Sequence, residues 1–430
     1  MTPQPSGSPY LPRVADQQLR ARLDALGAVV IEGVKGCGKT ATAREIAASE
    51  VLLDVDVAAA QAVGIDPRLV LAGAVPRLID EWQRAPRVWD AVRRAVDDRS
   101  EVGQFILTGS ATPRDDVARH SGAGRISVLR MRTMTLAEQG IADLTISTER
   151  VLAGEEIEPA RSDLDFMTYV ERIVVGGWPQ LLGSSETAAQ QFLAGYLDAI
   201  VEHDIDEVSG GRRNPRLVRR FMHAYAQLTA HPAALATIVS RARDQGEDEV
   251  ADGRRTEGPS RLGAEPYLDA LRRMMVVDEI PAWDPSVRSA ARLTVTEKRL
   301  LADPSLAAAL LGSSSQRLLS DLRTLGFLFE ALVAHDLRVF AEASGASLYH
   351  YRERDGRLEV DLVVEGPDGN WAAFEVKLGD DAIDGAAASL LRLVGRVARP
   401  PSALAVITTG PYAYRRNDGV YVIPLGCLGP

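Results

Sequence analysis

Cysteine and lysine are the residues this chain nearly does without. Its 430 residues hold only Cys37 and Cys427, too few for a disulfide framework or a cysteine-ligated zinc site. Of 49 basic residues, only Lys35, Lys39, Lys298 and Lys377 are lysines. Where arginine is the default cation, a lysine marks a place that needs a compact, movable ammonium instead of a planar fork. No apolar run approaches the ~20 residues of a membrane span, and the opening MTPQPSGSPYLPR lacks the apolar stretch of a secretion signal. These absences predict a cytoplasmic protein with no membrane partner. Positive charge is in deficit as well. A net charge of −10 and a pI near 5.3 exclude a whole-surface electrostatic grip on nucleic acid, though not a local basic patch.

The rest of the composition is ordinary. Hydrophobic residues make up 46% and charged residues 25%, as in globular proteins, and the length suits two to four domains at about 100–200 residues each. The first part alternates strand-like and helix-like stretches. Strands are predicted at 28–32, 51–57, 78–79 and 105–108, with helices at 40–49 and 88–96. Such alternation argues for a parallel α/β sheet. From 166 to 322 the helical period dominates, clearest at 169–175, 188–201 and 215–228, where Asn214-Pro215 supplies a cap and a first-turn proline. Helix 233–241, a polar glycine-rich loop over 243–262, helix 266–275 and strand 276–277 follow, an order compatible with a winged-helix unit. The last hundred residues read as a second α/β domain: helix 326–341, strand 348–352, a hairpin of 358–364 and 371–378, helix 386–397 and strand 403–408. The expected domains are therefore 1–160, 161–322 and 323–430.

Gly33-Val-Lys-Gly-Cys-Gly-Lys-Thr40 fits G-x-x-x-x-G-K-[ST] in full, after a predicted strand and ahead of a predicted helix. Glycines at Gly33, Gly36 and Gly38 let backbone N–H groups turn inward around phosphate oxygens, and a helix N-terminus adds positive potential. In this arrangement Lys39 reaches the β- and γ-phosphates and Thr40 ligates Mg²⁺. Cys37 lies inside the same loop, so its alkylation is expected to block nucleotide binding and Lys39 is expected to be exposed. Asp80 and Glu81 end the next predicted strand but one, Asp80 as the acid behind Mg²⁺ and Glu81 as the base that activates water. Ser110, closing the strand at 105–108, is placed to orient that water.

These stretches, IEGVKGCGKT, LIDEWQRAPRVWDAVRRAVD, GQFILTGSATP and GRISVLRMRTMTLAEQG, resemble a bacterial and archaeal family of AAA-type ATP-binding proteins. In that family a C-terminal domain of unknown function follows the ATPase core. GGWPQ at 176–180, YLDAIVEHDI at 196–205 and FEVKLG at 374–379 fit it too, so the resemblance spans nearly the whole chain. It implies ATP and Mg²⁺ as cofactors, Gly33, Gly38, Lys39 and Thr40 at the Walker A positions, and Asp80 and Glu81 at the Walker B positions. Arg125, which follows the sensor-like strand at 105–108, is the candidate arginine finger of a homo-oligomer.

Near the other end, Asp361 lies in one hairpin strand, and Glu375 and Lys377 lie two apart in the next, on one face of it. Two carboxylates can bind a divalent metal and a lysine can polarise an attacking water. Glu330, on the preceding helix, is a further candidate ligand. The set resembles the PD-(D/E)XK nuclease superfamily, with Val360 in place of the proline. Arg212, Arg213, Arg216, Arg219 and Arg220 follow the acids Glu202, Asp204, Asp206 and Glu207 and read as a solvated surface. The six histidines, His120 among them, show no metal-ligand spacing, and Tyr225, Tyr267 and Trp283 read as core. Two functions fit. One is a Mg²⁺-dependent ATPase coupled to a nuclease-like domain acting on DNA. The other is a nucleotide-dependent switch whose C-terminal domain only holds a DNA or protein partner.

Overall fold

The computed structural model describes residues 9–111, 122–244, 250–251, 254–255, 261–285, 295–353 and 356–430. His120 and most of the loop expected at 243–262 lie outside these. Two compact units make up the chain, Met1–Met134 and Thr135–Pro430.

In the first unit, helix α1 (Val14–Ala25) precedes β1 (Ala28–Glu32), α2 (Lys39–Arg44), β2 (Ser49–Leu52), α3 (Val57–Ile65), β3 (Arg77–Asp80), α4 (Arg87–Arg99), β4 (Phe105–Gly109) and β5 (Ile126–Arg130). The five strands form one parallel sheet in the order β2-β3-β4-β1-β5. Ala28 to Ile31 are wholly buried, because a central parallel strand is covered on both faces and must be apolar throughout. Helix α4 buries Val88, Trp89, Val92 and Val96 at helical spacing, and Trp89 packs against Trp82 with ring centroids 4.9 Å apart. Two expectations change here. The helix expected over 40–49 stops at Arg44, because Ser49 already pairs with Arg77 in the sheet. The strand expected over 51–57 ends at Leu52, because the Asp56 side chain accepts from Ala59 N and starts α3 instead.

The second unit begins with β6 (Ile146–Ser147), α5 (Thr148–Ala153), β7 (Ala160–Arg161), α6 (Phe166–Val175), α7 (Glu186–Ala199), α8 (Ile205–Ser209), α9 (Pro215–Ala226) and α10 (Leu235–Asp244). A π-helical turn over Ile200–Asp204 joins α7 to α8, and the expected Asn214 cap is formed by its acceptance from Arg216 N. After a short hairpin of β8 (Val250–Ala251) and β9 (Arg254–Arg255) come α11 (Arg261–Arg273), α12 (Pro304–Leu310), α13 (Ser315–Ser320) and the long α14 (Leu322–Ala343). Between α11 and α12 the chain doubles back through antiparallel bridges, Val277 with Leu301 and Ile280 with Lys298.

Then follow β10 (Ser347–Arg352), β11 (Glu359–Glu365), β12 (Trp371–Val376), α15 (Ile383–Val394), β13 (Ala403–Thr408), β14 (Tyr412–Arg415), β15 (Tyr421–Pro424) and β16 (Leu428–Gly429). Their sheet runs β10-β11-β12-β13-β15-β14-β7: antiparallel as far as β12, then parallel through β13 and β15. The two compact units divide after residue 134. Leu136 N donates to Asp336, Ile146 pairs with Leu428, and Arg161 pairs with Tyr412, so residues 135–161 are built into the second unit. Residues 161–322 pack within the same compact unit as 323–430.

GGWPQ has a structural cause. Gly176 takes φ 81°, and a Cβ there would run into Ser305 and Asp303. Buried Asp303 accepts from Gly177 N at 3.0 Å, and the Trp178 indole donates to Ser305 Oγ at 3.0 Å. Tyr225, Tyr267 and Trp283 are buried, as expected. Exposed Arg219 pairs with Asp198, and Asp206 accepts from the Arg213 backbone N–H at 2.6 Å, while Arg213 and Arg220 are only half-exposed.

Candidate functional site

The strand order of the first unit decides what meets at its rim. Because β4 lies between β1 and β3, the loop after β1 and the acids after β3 face each other across the end of β4. Ends of parallel strands are where such sheets bind ligands. Gly36 and Gly38 take φ 83° and 104°, which only glycine adopts readily, and a Cβ on Gly33 would strike the Met131 carbonyl. The loop therefore needs glycine at all three positions.

Thr40 Oγ1 donates to Asp80 Oδ1 at 2.8 Å, and fully buried Thr108 donates to the same oxygen. Glu81 is held at φ 51°, an unusual conformation for a non-glycine residue. Its Oε2 accepts from Ser110 Oγ at 3.1 Å and from the Gln83 amide, which also lies 3.3 Å from Ser110 Oγ. Glu81 and Ser110, assigned to water from the sequence, are thus brought into contact. Gln83 was missed, and only its position two residues after Glu81 could have suggested it.

Lys39 corrects an expectation. It is buried, not exposed, with Nζ donating to the Gly33 and Val34 carbonyls at 2.9 and 3.1 Å. Cys37 is buried too, its Sγ 3.8 Å from the Met131 carbonyl, so the thiol faces the protein. Arg13, also missed, braces the loop by donating to the Cys37 and Arg132 carbonyls at 2.9 and 2.8 Å. Tyr10 bonds Asp16 at 2.6 Å and Thr42 at 2.9 Å, holding α2. Arg125 is exposed and pairs with Asp97 at 2.8 Å.

Within the second unit the other expected set also converges. Lys377 Nζ lies 2.7 Å from Glu375 Oε2 and 3.2 Å from Asp361 Oδ2, and that oxygen accepts from Val376 N at 2.9 Å. Glu330 reaches the cluster from α14. Between it and Asp361 sits a residue the sequence reading did not assign, Lys298. Its Nζ donates to Glu330 Oε1 at 2.5 Å and to the Asp361 backbone carbonyl at 3.0 Å, and stands 3.7 Å from Asp361 Oδ1. The rarity of lysine was the one signal for it.

Burial, then the Asp361 charge, pushes Glu330 up to about 7 and also raises Glu375. Burial works on Asp361 in the same sense, but the Lys298 and Lys377 ammonium groups outweigh it and hold Asp361 below its ordinary value. Burial likewise opposes the charge on Lys298, and Glu330 and Asp361 overcome it. Among the described residues no three His, Cys, Asp or Glu side chains form a group able to hold a metal ion, and no helix is long and apolar enough to cross a membrane.

Residues 26–139 match the AAA domain family, 167–317 a domain of unknown function, DUF8612, and 325–428 a second one, DUF4143. The first unit thus carries an AAA-type, ATPase-like domain. Two curated relatives, uncharacterized proteins of Mycobacterium bovis and Mycobacterium tuberculosis, are each 25% identical over 420 residues, covering 96% of this chain and 83% of theirs. A solved structure of Drosophila ORC bound to DNA aligns with 70% of this chain and 90% of its own, at 12% identity and a TM-score of 0.23. That similarity is too slight to argue from.

Proposed function

We propose that the first unit hydrolyses ATP and that its nucleotide cycle governs what the second unit holds. The observation that carries this is the convergence of Thr40 with Asp80 and of Ser110 with Glu81 at one sheet rim. Thr40 and Asp80 offer the hydroxyl and carboxylate that suit Mg²⁺, which would neutralise charge between the β- and γ-phosphates. Glu81, oriented by Ser110 and Gln83, takes the proton of the attacking water. Lys39 must leave the Gly33 and Val34 carbonyls to reach phosphate, so nucleotide binding exchanges two internal bonds for stronger charge-assisted ones. Arg125 would serve a neighbouring copy if the protein assembles as a ring or pair.

For the second unit, helix α14, the β10-β11-β12 meander, α15 and the parallel β13 support a restriction-endonuclease-like arrangement, and Glu330, Asp361, Glu375 and Lys377 fit its charge pattern. The three helices α9 to α11 and the bridged pair after them support a winged-helix unit, with DNA as a candidate partner. Buried Lys298 favours the reading in which this unit binds a partner without cutting it. The test is steady-state ATP hydrolysis by wild type and Glu81→Gln, alongside nucleotide binding. Binding with hydrolysis lost only in the variant supports an ATPase. Binding with no hydrolysis in either supports a switch without turnover.

A further inference from the structure

The second cluster interleaves charge: Lys298 lies between Glu330 and Asp361, Lys377 lies between Asp361 and Glu375, and the Asp361 and Glu375 carboxyls also meet directly. The four ion pairs measure 2.5, 3.7, 3.2 and 2.7 Å in turn. A hard divalent cation needs about six oxygen ligands at roughly 2.0–2.6 Å. Glu330 Oε1 and Asp361 Oδ1 already face the Lys298 ammonium, and Asp361 Oδ2 and Glu375 Oε2 face Lys377. Donor set and metal do not fit together.

Charge and backbone point the same way. Each of the three carboxylates already faces an ammonium group, Glu330 and Asp361 that of Lys298, Asp361 and Glu375 that of Lys377. Lys298 is also held from behind. Its N–H and carbonyl bond the Ile280 carbonyl and N–H at 2.9 and 3.0 Å, and its side chain is 1% exposed. A buried ammonium is tolerated only where it is paired, so this lysine is built into the site.

We infer that Lys298 is the permanent counter-ion of Glu330 and Asp361, two of the acids a nuclease-like site would turn to its divalent metal, so that this cluster is held together without metal. The carboxylates then fasten the strand bearing Lys298 to α14 and β11. The inference rests on the nuclease-like reading for the meaning of the site, but its geometry can be tested without DNA.

The test is calorimetric titration of the nucleotide-free full chain with Mn²⁺, for wild type, Lys298→Ala and Lys298→Gln. Wild type is expected to show no saturable binding, whereas either variant gains one site, at least about tenfold tighter than anything wild type shows. Thermal unfolding should shift upward with Mn²⁺ in the variants and not in wild type. Saturable Mn²⁺ binding by wild type that Asp361→Asn abolishes would overturn the inference, and this arm needs no Lys298 variant to fold. A folded Lys298→Gln that binds no Mn²⁺ would overturn it as well. Duplex DNA offered to the Mn²⁺-loaded variant separates the two readings. Metal bound without cleavage upholds the role of Lys298 and removes the nuclease-like reading, whereas cleavage upholds both.

Discussion

The Thr40 hydroxyl donates to Asp80 Oδ1 at 2.8 Å, and the buried Thr108 hydroxyl meets that same oxygen. One carboxylate oxygen therefore joins the phosphate loop, the acid-bearing strand and the strand between them. Thr40 and Asp80 would hold Mg²⁺ in the proposed site, and the Thr108 bond would keep Asp80 in position if the Thr40 hydroxyl turned to the ion.

Asp80→Ala should accordingly cost both chemistry and stability. The buried Thr108 hydroxyl loses its acceptor, worth about 1–3 kcal/mol, and the Mg²⁺ dependence of hydrolysis is lost. Thermal unfolding and a Mg²⁺ titration of the ATPase rate check the two effects separately.

Lys39→Ala should lower ATP hydrolysis by about 10²–10³-fold, the usual effect of removing one donor from developing negative charge. Its partners are two loop carbonyls at a ligand-facing rim, so the unfolding temperature should move by only a few degrees. Unchanged turnover would remove Lys39 from the phosphates.

Glu81→Gln keeps the size of the side chain and loses the proton acceptor. Nucleotide affinity should stay within about threefold while turnover drops by about 10²–10⁴-fold. Ser110→Ala removes only an orienting contact at 3.1 Å and should cost about tenfold. Equal losses in the two variants would show that Glu81 positions water and does not take its proton.

Cys37 and Cys427 are both fully buried. A water-soluble disulfide reagent should therefore titrate neither thiol in the native protein and two per chain in denaturant. Alkylation of Cys37 then requires that the loop first open to expose it. Rapid native labelling of Cys37, slowed by ATP, would show that the loop opens in solution.

His350 gives the second unit an acid sensitivity. Burial, then the Lys298 charge, lowers its pKa to about 3. The unfolded chain takes up a proton near pH 6.5 while the folded unit stays neutral, so stability is full above pH 6.5 and falls as pH drops toward 3. The loss has a ceiling of about 1.4 kcal/mol per pH unit. The His350→Gln variant should show a shallower decline of unfolding temperature between pH 6.5 and 4.5 than wild type. Parallel slopes would exclude His350 as the cause.

What the sequence disclosed depended on how local each signal was. The loop at 33–40 was legible because its glycines serve conformations within the loop itself, and Glu375 and Lys377 because strand alternation puts them on one face. Asp361 could be set beside them because a short hairpin joins their strands. Lys298 could not, because its partners Glu330 and Asp361 are 32 and 63 positions away and no periodicity connects them. Arg13 eluded the reading for the same reason, reaching Arg132 across 119 positions. Alanine-rich helix propensity misled at 45–49, where the chain turns after Arg44 to begin strand pairing at Ser49.

The pairing of Ile146 with Leu428, and of Arg161 with Tyr412, sets a timetable for the newborn chain. Every strand of the first sheet has left the ribosome once Arg130 has emerged, so that sheet can close early. The short strands at Ile146 and Ala160 must then wait for about 250–280 further residues, roughly a quarter of a minute to a minute at ~5–20 residues per second. Throughout that interval the edge strand is made and the sheet it closes is not, because β10 to β15 are still to be synthesised.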